Sequence, residues 1–194
     1  SKLHKFLSLG HHPNPDGFLT GEQLKRPEIY YPLDLFFCED CKLVQLGYAP
    51  DPSALFTESF IYTTGSSKEL IDNFHFLAEN IVKRFSLSSN DLVIDIGSND
   101  GTFLENLIHY KIKILGVDPS KAANLAIEKK VPTLKDFFNE KTANKILNEN
   151  GKAKIITAAN VFAHIIELES FMKGVKLLLG DKGIFIQESG YIKT

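Results

Sequence analysis

The hydrophobic pattern changes along the chain, and the change separates two regions. From Leu92 onward, short apolar runs alternate with segments whose apolar residues recur every three or four positions. The runs are typical of buried strands, and the longer spacing is typical of helices that cover a sheet. Strands that alternate with helices imply right-handed crossovers and parallel pairing. We therefore predict an α/β fold for residues 90–194, an open parallel sheet of about five strands with order 3-2-1-4-5 and helices on both faces.

The predicted elements can be placed on the sequence. Strands are expected in LVIDIG from Leu92, KILGVD from Lys113, PTLKDFF from Pro132 (the weakest), KIITAANVFAH from Lys154 and GIFIQES from Gly183. Helices are expected in GTFLENLIHY from Gly101, in SKAANLAIEKK with Ser120 as a cap, and around residues 171–179.

One further helix is predicted ahead of the sheet, in a connecting segment at residues 65–89. Its apolar residues lie three or four positions apart, at Leu70, Phe74, Leu77, Ile81 and Phe85. Such spacing places them on one helical face. Ser66 and Glu69 are spaced as a capping box. We expect this helix to cover one face of the sheet.

Residues 1–64 have a different composition, which is rich in proline, glycine and aromatic residues. The stretches HHPNPDGF and PEIYYPLDLFF are typical of turns and short extended pieces. We therefore predict a separate, loop-rich N-terminal region. His11 and His12 fall in a proline-rich stretch without a partner at metal-binding spacing, and we interpret them as surface residues.

Composition narrows the classes of function. The chain has 194 residues, enough for one domain and a small appendage, and a formal net charge of −2. That charge does not favour nucleic acid as a partner. We find no apolar stretch of about 18 residues and no signal-peptide pattern at the first residue, so no membrane span is expected. Two cysteines do not make a secreted disulfide framework, which favours a cytoplasmic location.

The segment LVIDIGSNDG carries the main chemical signal. A glycine turn between the first strand and the first helix of such a sheet is where nucleotide-like cofactors bind. Gly97 and Gly101 omit side chains where the backbone approaches a ligand, and Asn99 tolerates left-handed backbone. The turn lacks the GxGxxG pattern of dinucleotide sites, and its acids, Asp95 and Asp100, would repel a pyrophosphate.

Acid at this turn favours a ligand that is positively charged and has no phosphate, which describes S-adenosylmethionine. Asp118 ends the second predicted strand and follows Asp95 at close to the roughly 20 residues expected of an acid that binds ribose hydroxyls. The alternative is a tight strand–helix junction without a ligand.

Cys38 and Cys41 form a CxxC pair that can supply two thiolates to a tetrahedral zinc ion. A redox pair is the alternative, but it would favour a thioredoxin-like strand–helix context, which this region lacks. The two thiols can also bind nothing.

Several motifs together resemble one family. VIDIGSNDGTFL, GVDPS and ITAANVFAH look like segments of the S-adenosylmethionine-dependent C-methyltransferases that act on nucleotide-activated keto-sugars. YYPLDLFFCEDCKLVQLGY and LFTESFIYTTGSS resemble the zinc-binding region that precedes them. The resemblance implies a Rossmann-like class I methyltransferase sheet. It also implies S-adenosylmethionine as cofactor, a nucleotide sugar as small-molecule substrate, and methylation of carbon through an enolate.

The resemblance also implies roles for individual positions. Cofactor-binding roles fall on Asp95, Gly97, Ser98, Asn99, Gly101, Asp118, Pro119, Asp136, Phe137 and Asn160. The glycine turn would wrap the methionine part, Asp118 would hold the ribose, the DFF segment would lie near the adenine, and Asn160 would face the methionine. Tyr62 and His164 would be catalytic, in the sugar pocket, and Cys38 and Cys41 would bind zinc.

Each of these roles has a structural alternative. Tyr62 can be a half-buried loop tyrosine, and His164 a capping or solvated histidine. Phe137 and Phe138 can be ordinary core residues, and Asp136 can simply cap a turn.

The resemblance further implies parts that this sequence does not contain. These are a second cysteine pair ahead of Ser1, two further strands, and a later segment with Tyr, Glu and His that would carry the general base. We therefore expect either a fragment that lacks both ends or a natural truncated reading frame, and no methyl transfer by this chain alone. Two other functions stay open, an O- or N-methyltransferase of another small molecule and a non-catalytic cofactor-binding fragment.

Overall fold

The structure is a computed structural model that describes residues 2–56 and 62–190. It divides into two compact units, Ser1–Tyr62 and Thr63–Thr194. Among the helices in the described ranges, none combines the length and the apolar character that crossing a membrane requires.

The first unit is built on a three-stranded antiparallel sheet of order β1-β2-β3. Its strands are β1 (Leu3–His12), β2 (Tyr31–Cys38) and β3 (Val44–Leu46), and they are followed by a short helix, α1 (Pro52–Leu55). The unit is more regular than the loop-rich region predicted. His11 and His12 are exposed, as predicted, but they end strand β1 opposite Pro32 and Tyr31 and do not lie in a loop. The pairing joins distant residues, which local patterns do not report.

The second unit contains a five-stranded sheet in which every neighbouring pair is parallel. Its strands are β4 (Leu92–Ile96), β5 (Lys113–Val117), β6 (Thr133–Leu134), β7 (Ala153–Ala159) and β8 (Leu179–Glu188). They follow the order β6-β5-β4-β7-β8. This confirms the predicted α/β class and the order 3-2-1-4-5.

Helices cover both faces of this sheet. They are α2 (Lys68–Phe85), α3 (Thr102–Glu105), α4 (Ala122–Glu128), α5 (Glu140–Asn150) and α6 (Leu168–Leu178). Leu92 and Ile94 of β4 belong to the core that includes α5 and α6, whereas Val93 belongs to the core that includes α2, α3 and α4. Because successive side chains of a strand point to opposite faces, a strand covered on both sides reads as an unbroken apolar run.

Several predicted boundaries were wrong by small amounts. Ser67, not Ser66, is the N-cap of α2, and its hydroxyl accepts the N–H of Leu70. Ser120 does not cap α4, whose N-cap is Lys121. The helix predicted from Gly101 ends at Glu105 and is followed by a 3₁₀ turn, Ile108–Tyr110. The weak third strand is confirmed, but it is only two residues long.

The core between the sheet and α6 centres on one aromatic side chain. Phe171 is 1% exposed and meets the ring of Phe138 edge-on at 5.2 Å and that of Phe162 at 5.9 Å. Edge-to-face pairs of this kind add to the free energy gained by burial.

We expect Phe171→Ala to lower the free energy of unfolding by about 3–5 kcal/mol, because it leaves a cavity among these rings. The matched control is Phe76→Ala on α2, where the ring is 66% exposed and its removal should change stability by less than about 0.5 kcal/mol. Urea titrations of both variants measure the two effects. Equal losses would contradict this description of the core.

Candidate functional site

The candidate site lies where the strand order reverses. The chain proceeds outward from β4 to β5 and β6, then returns to place β7 on the other side of β4. Ligands of open α/β sheets bind in the crevice outside the carboxyl ends of the strands at such a point. The residues that follow β4, β5 and β7 are therefore brought together at one edge of the sheet.

The turn after β4 has an irregular backbone that only certain residues tolerate. Gly97, Asn99 and Gly101 have φ values of 70°, 51° and 77°. A Cβ atom at Gly97 would lie 2.2 Å from Cγ2 of Val161, so another part of the chain fills the space that this glycine leaves. A Cβ atom at Gly101 would lie 3.0 Å from that of Ala126. Packing against Val161 and Ala126 therefore requires both glycines, whether or not a ligand approaches the turn.

Ser98 lies inside this turn and is 4% exposed. Its hydroxyl oxygen is buried, and among the described residues it has no hydrogen-bond partner. A Cβ atom at Gly116 of β5 would lie 2.4 Å from this oxygen, so the hydroxyl occupies the space above that glycine.

Asp118 ties the turn to the end of β5. Its Oδ2 atom accepts the N–H of Asn99 at 2.8 Å, and its Oδ1 atom accepts the N–H of Ser120 at 2.8 Å and the Ser120 hydroxyl at 2.5 Å. A carboxylate offers about four acceptor positions. These bonds fill Oδ1 and leave Oδ2 able to accept one more donor. Pro119, between the two residues, is half-buried.

Among the three acids of the site, Asp95 has the fewest described hydrogen-bond donors around its carboxyl group. It is 6% exposed, and its Oδ1 atom accepts the hydroxyl of Thr157 at 2.6 Å. Burial raises the pKa of Asp95 to about 7, against the lowering effect of the Thr157 bond, and the negative charge of Asp118 raises it further. The carboxyl group can therefore exchange a proton near neutral pH.

Asp100, the other acid of the turn, binds donors of the chain itself. Oδ1 accepts the hydroxyl of Thr102 at 2.7 Å, and Oδ2 accepts the N–H of Gly65 at 2.9 Å. Lys129 lies 3.5 Å from Oδ2. Asp100 therefore does not offer a cationic ligand the free charge that the sequence suggested, because its carboxylate already faces Lys129.

The DFF segment follows β6. Oδ1 of Asp136 accepts the N–H of Phe137, as a turn cap does. Phe137 is 36% exposed, so its interpretation as a core residue was wrong. Phe138 does pack into the core, against Phe171.

The remaining predicted site residues lie after β7 or in the first unit. Asn160 directly follows β7 with φ 56°, and its N–H donates to the carbonyl of Glu188 at 2.9 Å. His164 ends a 3₁₀ turn, Phe162–His164, and is exposed. Tyr62 is the last residue of the first unit and is 47% exposed.

The cysteine pair forms a tight turn at the end of β2. Cys38 is buried, Cys41 is exposed, and the N–H of Cys41 donates to Sγ of Cys38 at 3.5 Å. This backbone N–H, then the Cys41 side chain, lowers the pKa of Cys38, which favours the thiolate form that binds metals. Across the described residues, no group of three or more histidine, cysteine or acidic side chains is placed to hold a metal ion. The chemistry of the pair suits zinc, but it supplies two ligands of four.

Sequence reasoning missed three residues that organise the site. Thr157 binds Asp95, and Thr64 and Gly65 bind the turn through their backbone N–H groups. Thr157 had a detectable signal, because it is a polar residue within an otherwise apolar buried run. Thr64 and Gly65 gave no signal in the sequence, because every residue except proline has a backbone N–H group.

The chain matches two protein families. The family described as "Methyltransferase domain" matches residues 67–189, and the one described as "Putative zinc binding domain" matches residues 1–56.

Individual relatives agree with these matches. The chain is 29% identical over 187 residues to C-methyltransferase NovU of Streptomyces niveus, which covers 96% of this chain and 44% of that protein. It is 31% identical over 124 residues to an uncharacterized methyltransferase of Schizosaccharomyces pombe, covering 59% of this chain and 45% of that protein. The chain thus spans less than half the length of both relatives.

A solved structure supports the fold. The PH0226 protein from Pyrococcus horikoshii OT3 matches with a TM-score of 0.54 at 22% identity, covering 68% of this chain and 59% of that one.

The buried Asp95 carboxyl leads to a prediction about pH. Its pKa is about 7 in the folded state, against about 3.9 in an unfolded chain, so the folded state retains a proton that the unfolded state releases between these values. We expect this group to lower the free energy of unfolding as pH rises from about 4 to 7, by on the order of 4 kcal/mol, with no further loss above pH 7.

Asp95→Asn removes the titrating group and keeps an oxygen that can accept the Thr157 hydroxyl. It should therefore flatten this part of the pH dependence, whereas Asp181→Asn at an exposed position should not. Urea titrations of the three proteins from pH 4 to 8 measure the difference. An unchanged slope in Asp95→Asn would show that Asp95 is ionised throughout.

The cysteine turn leads to a prediction about zinc. We expect the chain, purified without chelator, to hold less than one zinc ion per molecule, because a two-thiolate site leaves the metal open to water and competing thiols. Elemental analysis measures the ratio. About one tightly held zinc per chain would contradict the prediction and indicate that a histidine such as His4 completes the site.

Proposed function

This chain belongs to the methyltransferase-domain family, and we propose that it binds S-adenosylmethionine and serves methylation of a carbon atom in a small molecule. The observation that carries the proposal is the hydrogen bond between the Asn99 N–H and Asp118. It joins the glycine turn to Asp118 at the point where the strand order reverses. An acid at the end of the second strand is the kind of residue that binds ribose hydroxyls in such sheets.

The charges around the turn suit this cofactor. S-adenosylmethionine carries an ammonium and a sulfonium group and no phosphate, and it supplies an electrophilic methyl group when bound. Asp95 and Asp118 are buried acids beside the turn. The negative charge of Asp118 would stabilise a nearby cation and oppose the pyrophosphate of a dinucleotide, and a bound cation would favour the ionised form of Asp95.

Particular groups of the chain are available for particular parts of the cofactor. The open acceptor position on Oδ2 of Asp118 would take one ribose hydroxyl. The exposed ring of Phe137 offers an apolar face to the adenine, and Asp136 lies beside it. The backbone of the turn from Gly97 to Gly101, with Ser98 and Asn99 within it, would surround the methionine part, with Asn160 opposite and Pro119 shaping the ribose side.

Methylation of carbon is supported by the relative from Streptomyces niveus, whose name is C-methyltransferase. A nucleotide-linked keto-sugar as the substrate rests on the resemblance of the motifs alone. The chemistry of such a substrate sets clear requirements. A keto group acidifies the neighbouring C–H, a base must remove the proton, and a donor must stabilise the enolate oxygen.

His164 and Tyr62 are our candidates for contact with the substrate. His164 follows β7 in a short turn and is exposed, so its imidazole is accessible to a ligand. Tyr62 carries a phenolic hydroxyl that can donate a hydrogen bond to an enolate oxygen. Both roles are those that the resemblance implies.

Calorimetry with S-adenosylhomocysteine tests the cofactor without requiring a substrate. We expect saturable binding by the wild-type chain and no measurable binding of NADH. Asp118→Ala should weaken S-adenosylhomocysteine binding by about 1.5–3 kcal/mol, because a charge-assisted hydrogen bond to the ligand is lost. Asp181→Ala, which removes an exposed acid, should bind as the wild type does.

Urea titration of each variant separates a lost contact from a lost fold, since Asp118 also holds the N–H of Asn99. NADH binding as tight as that of S-adenosylhomocysteine would overturn the proposal. Transfer of a labelled methyl group to oxygen or nitrogen, with none to carbon, would keep the cofactor and reassign the acceptor.

A further inference from the structure

Two side chains of the glycine turn hold a segment that lies outside it. Oδ1 of Asn99 accepts the backbone N–H of Thr64 at 2.9 Å, and Oδ2 of Asp100 accepts the backbone N–H of Gly65 at 2.9 Å. Thr64 is 9% exposed, and Asn99 and Asp100 are 7% and 3% exposed. The bond of Thr64 is buried and that of Gly65 is partly buried, so breaking them leaves groups that water can compensate only in part.

The fit between the segment and the turn is close. A Cβ atom at Gly65 would lie 2.5 Å from Oδ2 of Asp100 and 3.1 Å from the hydroxyl oxygen of Thr102. The carboxylate cannot easily retreat, since it also accepts both the N–H and the hydroxyl of Thr102 and faces Lys129. Glycine at residue 65 is therefore a requirement of this contact.

Asn99 connects this segment to the candidate ribose acid. Its side chain accepts from Thr64, and its own N–H donates to Asp118. One residue in left-handed backbone, φ 51°, thus holds both partners. Movement of Thr64 would shift the Asn99 side chain, and with it the peptide that orients Asp118.

We propose that Asn99 and Asp100 are positioning residues that couple cofactor affinity to the docking of residues 63–66 on the turn. The docked segment holds the turn in the conformation that binds the cofactor, and the bound cofactor in turn holds the segment in place. Such coupling is reciprocal, because each event stabilises the other by the same free energy. The inference rests on the proposed function, since it requires that the turn binds S-adenosylmethionine.

Gly65→Ala is the main test, because it disturbs the contact and leaves every group of the turn in place. We expect it to weaken S-adenosylhomocysteine binding by about tenfold, the effect of losing a partly buried hydrogen bond to a carboxylate. Gly190→Ala is the matched control in the same unit, since a Cβ atom there meets no atom of the described residues within 4 Å. It should bind as the wild type does.

A second pair of variants tests the other bond and covers the case in which Gly65→Ala does not fold. Thr64→Pro removes the N–H that Asn99 accepts, and Thr63 has the extended backbone (φ −129°, ψ 129°) that proline requires before it. Thr64→Val keeps the N–H and the branched shape. The proline variant should lose affinity, and the valine variant should keep most of it.

Hydrogen exchange gives a readout that a merely structural contact would not move. In the wild-type protein, S-adenosylhomocysteine should slow exchange of the Thr64 and Gly65 amides by about tenfold. The amide of Asn90, in the exposed turn before β4, exchanges by local fluctuation at the opposite end of the strand and should change far less. Saturable binding with unchanged exchange at Thr64 and Gly65, and with wild-type affinity in folded Gly65→Ala or Thr64→Pro, would overturn the coupling and leave the proposed function standing. Failure of the wild-type chain to bind S-adenosylhomocysteine would overturn both.

Discussion

The hydrogen bond from the Asn99 N–H to the buried Asp118 carboxylate is the contact on which the rest of the site depends. It joins the turn after β4 to the end of β5, and the N–H of Gly97 adds a second tie to the carbonyl of Val117 at 2.7 Å. With the turn held in this way, the Asn99 side chain is directed to Thr64. A single anchored peptide therefore places the glycine turn, the Asp118 carboxylate and the segment at Thr64 relative to one another.

Burying three carboxyl groups around one turn is unfavourable in free energy, and a different set of hydrogen-bond donors offsets this for each of them. Asp118 accepts bonds from Asn99 and Ser120, and Asp100 is compensated by backbone, hydroxyl and lysine donors. Asp95 has the Thr157 hydroxyl as its described hydrogen-bond donor, and its pKa rises accordingly. A buried charge is tolerated in proportion to its donors. Asp95 is therefore the acid whose ionisation would gain most from a cationic ligand.

Much of the sheet could be read from local patterns. The apolar runs at β4 and β5, the glycines at residues 97 and 101, and the acid at 118 each report a strong local constraint, namely burial on two faces or a backbone of positive φ. Local patterns did not predict that the helix after Gly101 ends at Glu105, nor that the first unit contains a three-stranded sheet. Those features depend on pairing between distant segments, which local spacing does not encode.

The amino-acid sequence by itself determined the alternation of strands and helices, the place of the turn and the identity of its acids, because steric limits and burial act residue by residue. The predicted strand order followed from that alternation together with the general preference for right-handed crossovers. Only the tertiary structure decided what each acid does. Asp100 and Asp95 are alike in sequence, yet one faces Lys129 and the N–H of Gly65, while the other is buried against Thr157. A carboxylate's charge state and partners depend on the donors that the fold brings within reach, and those donors come from residues 35 and 62 positions away in the chain.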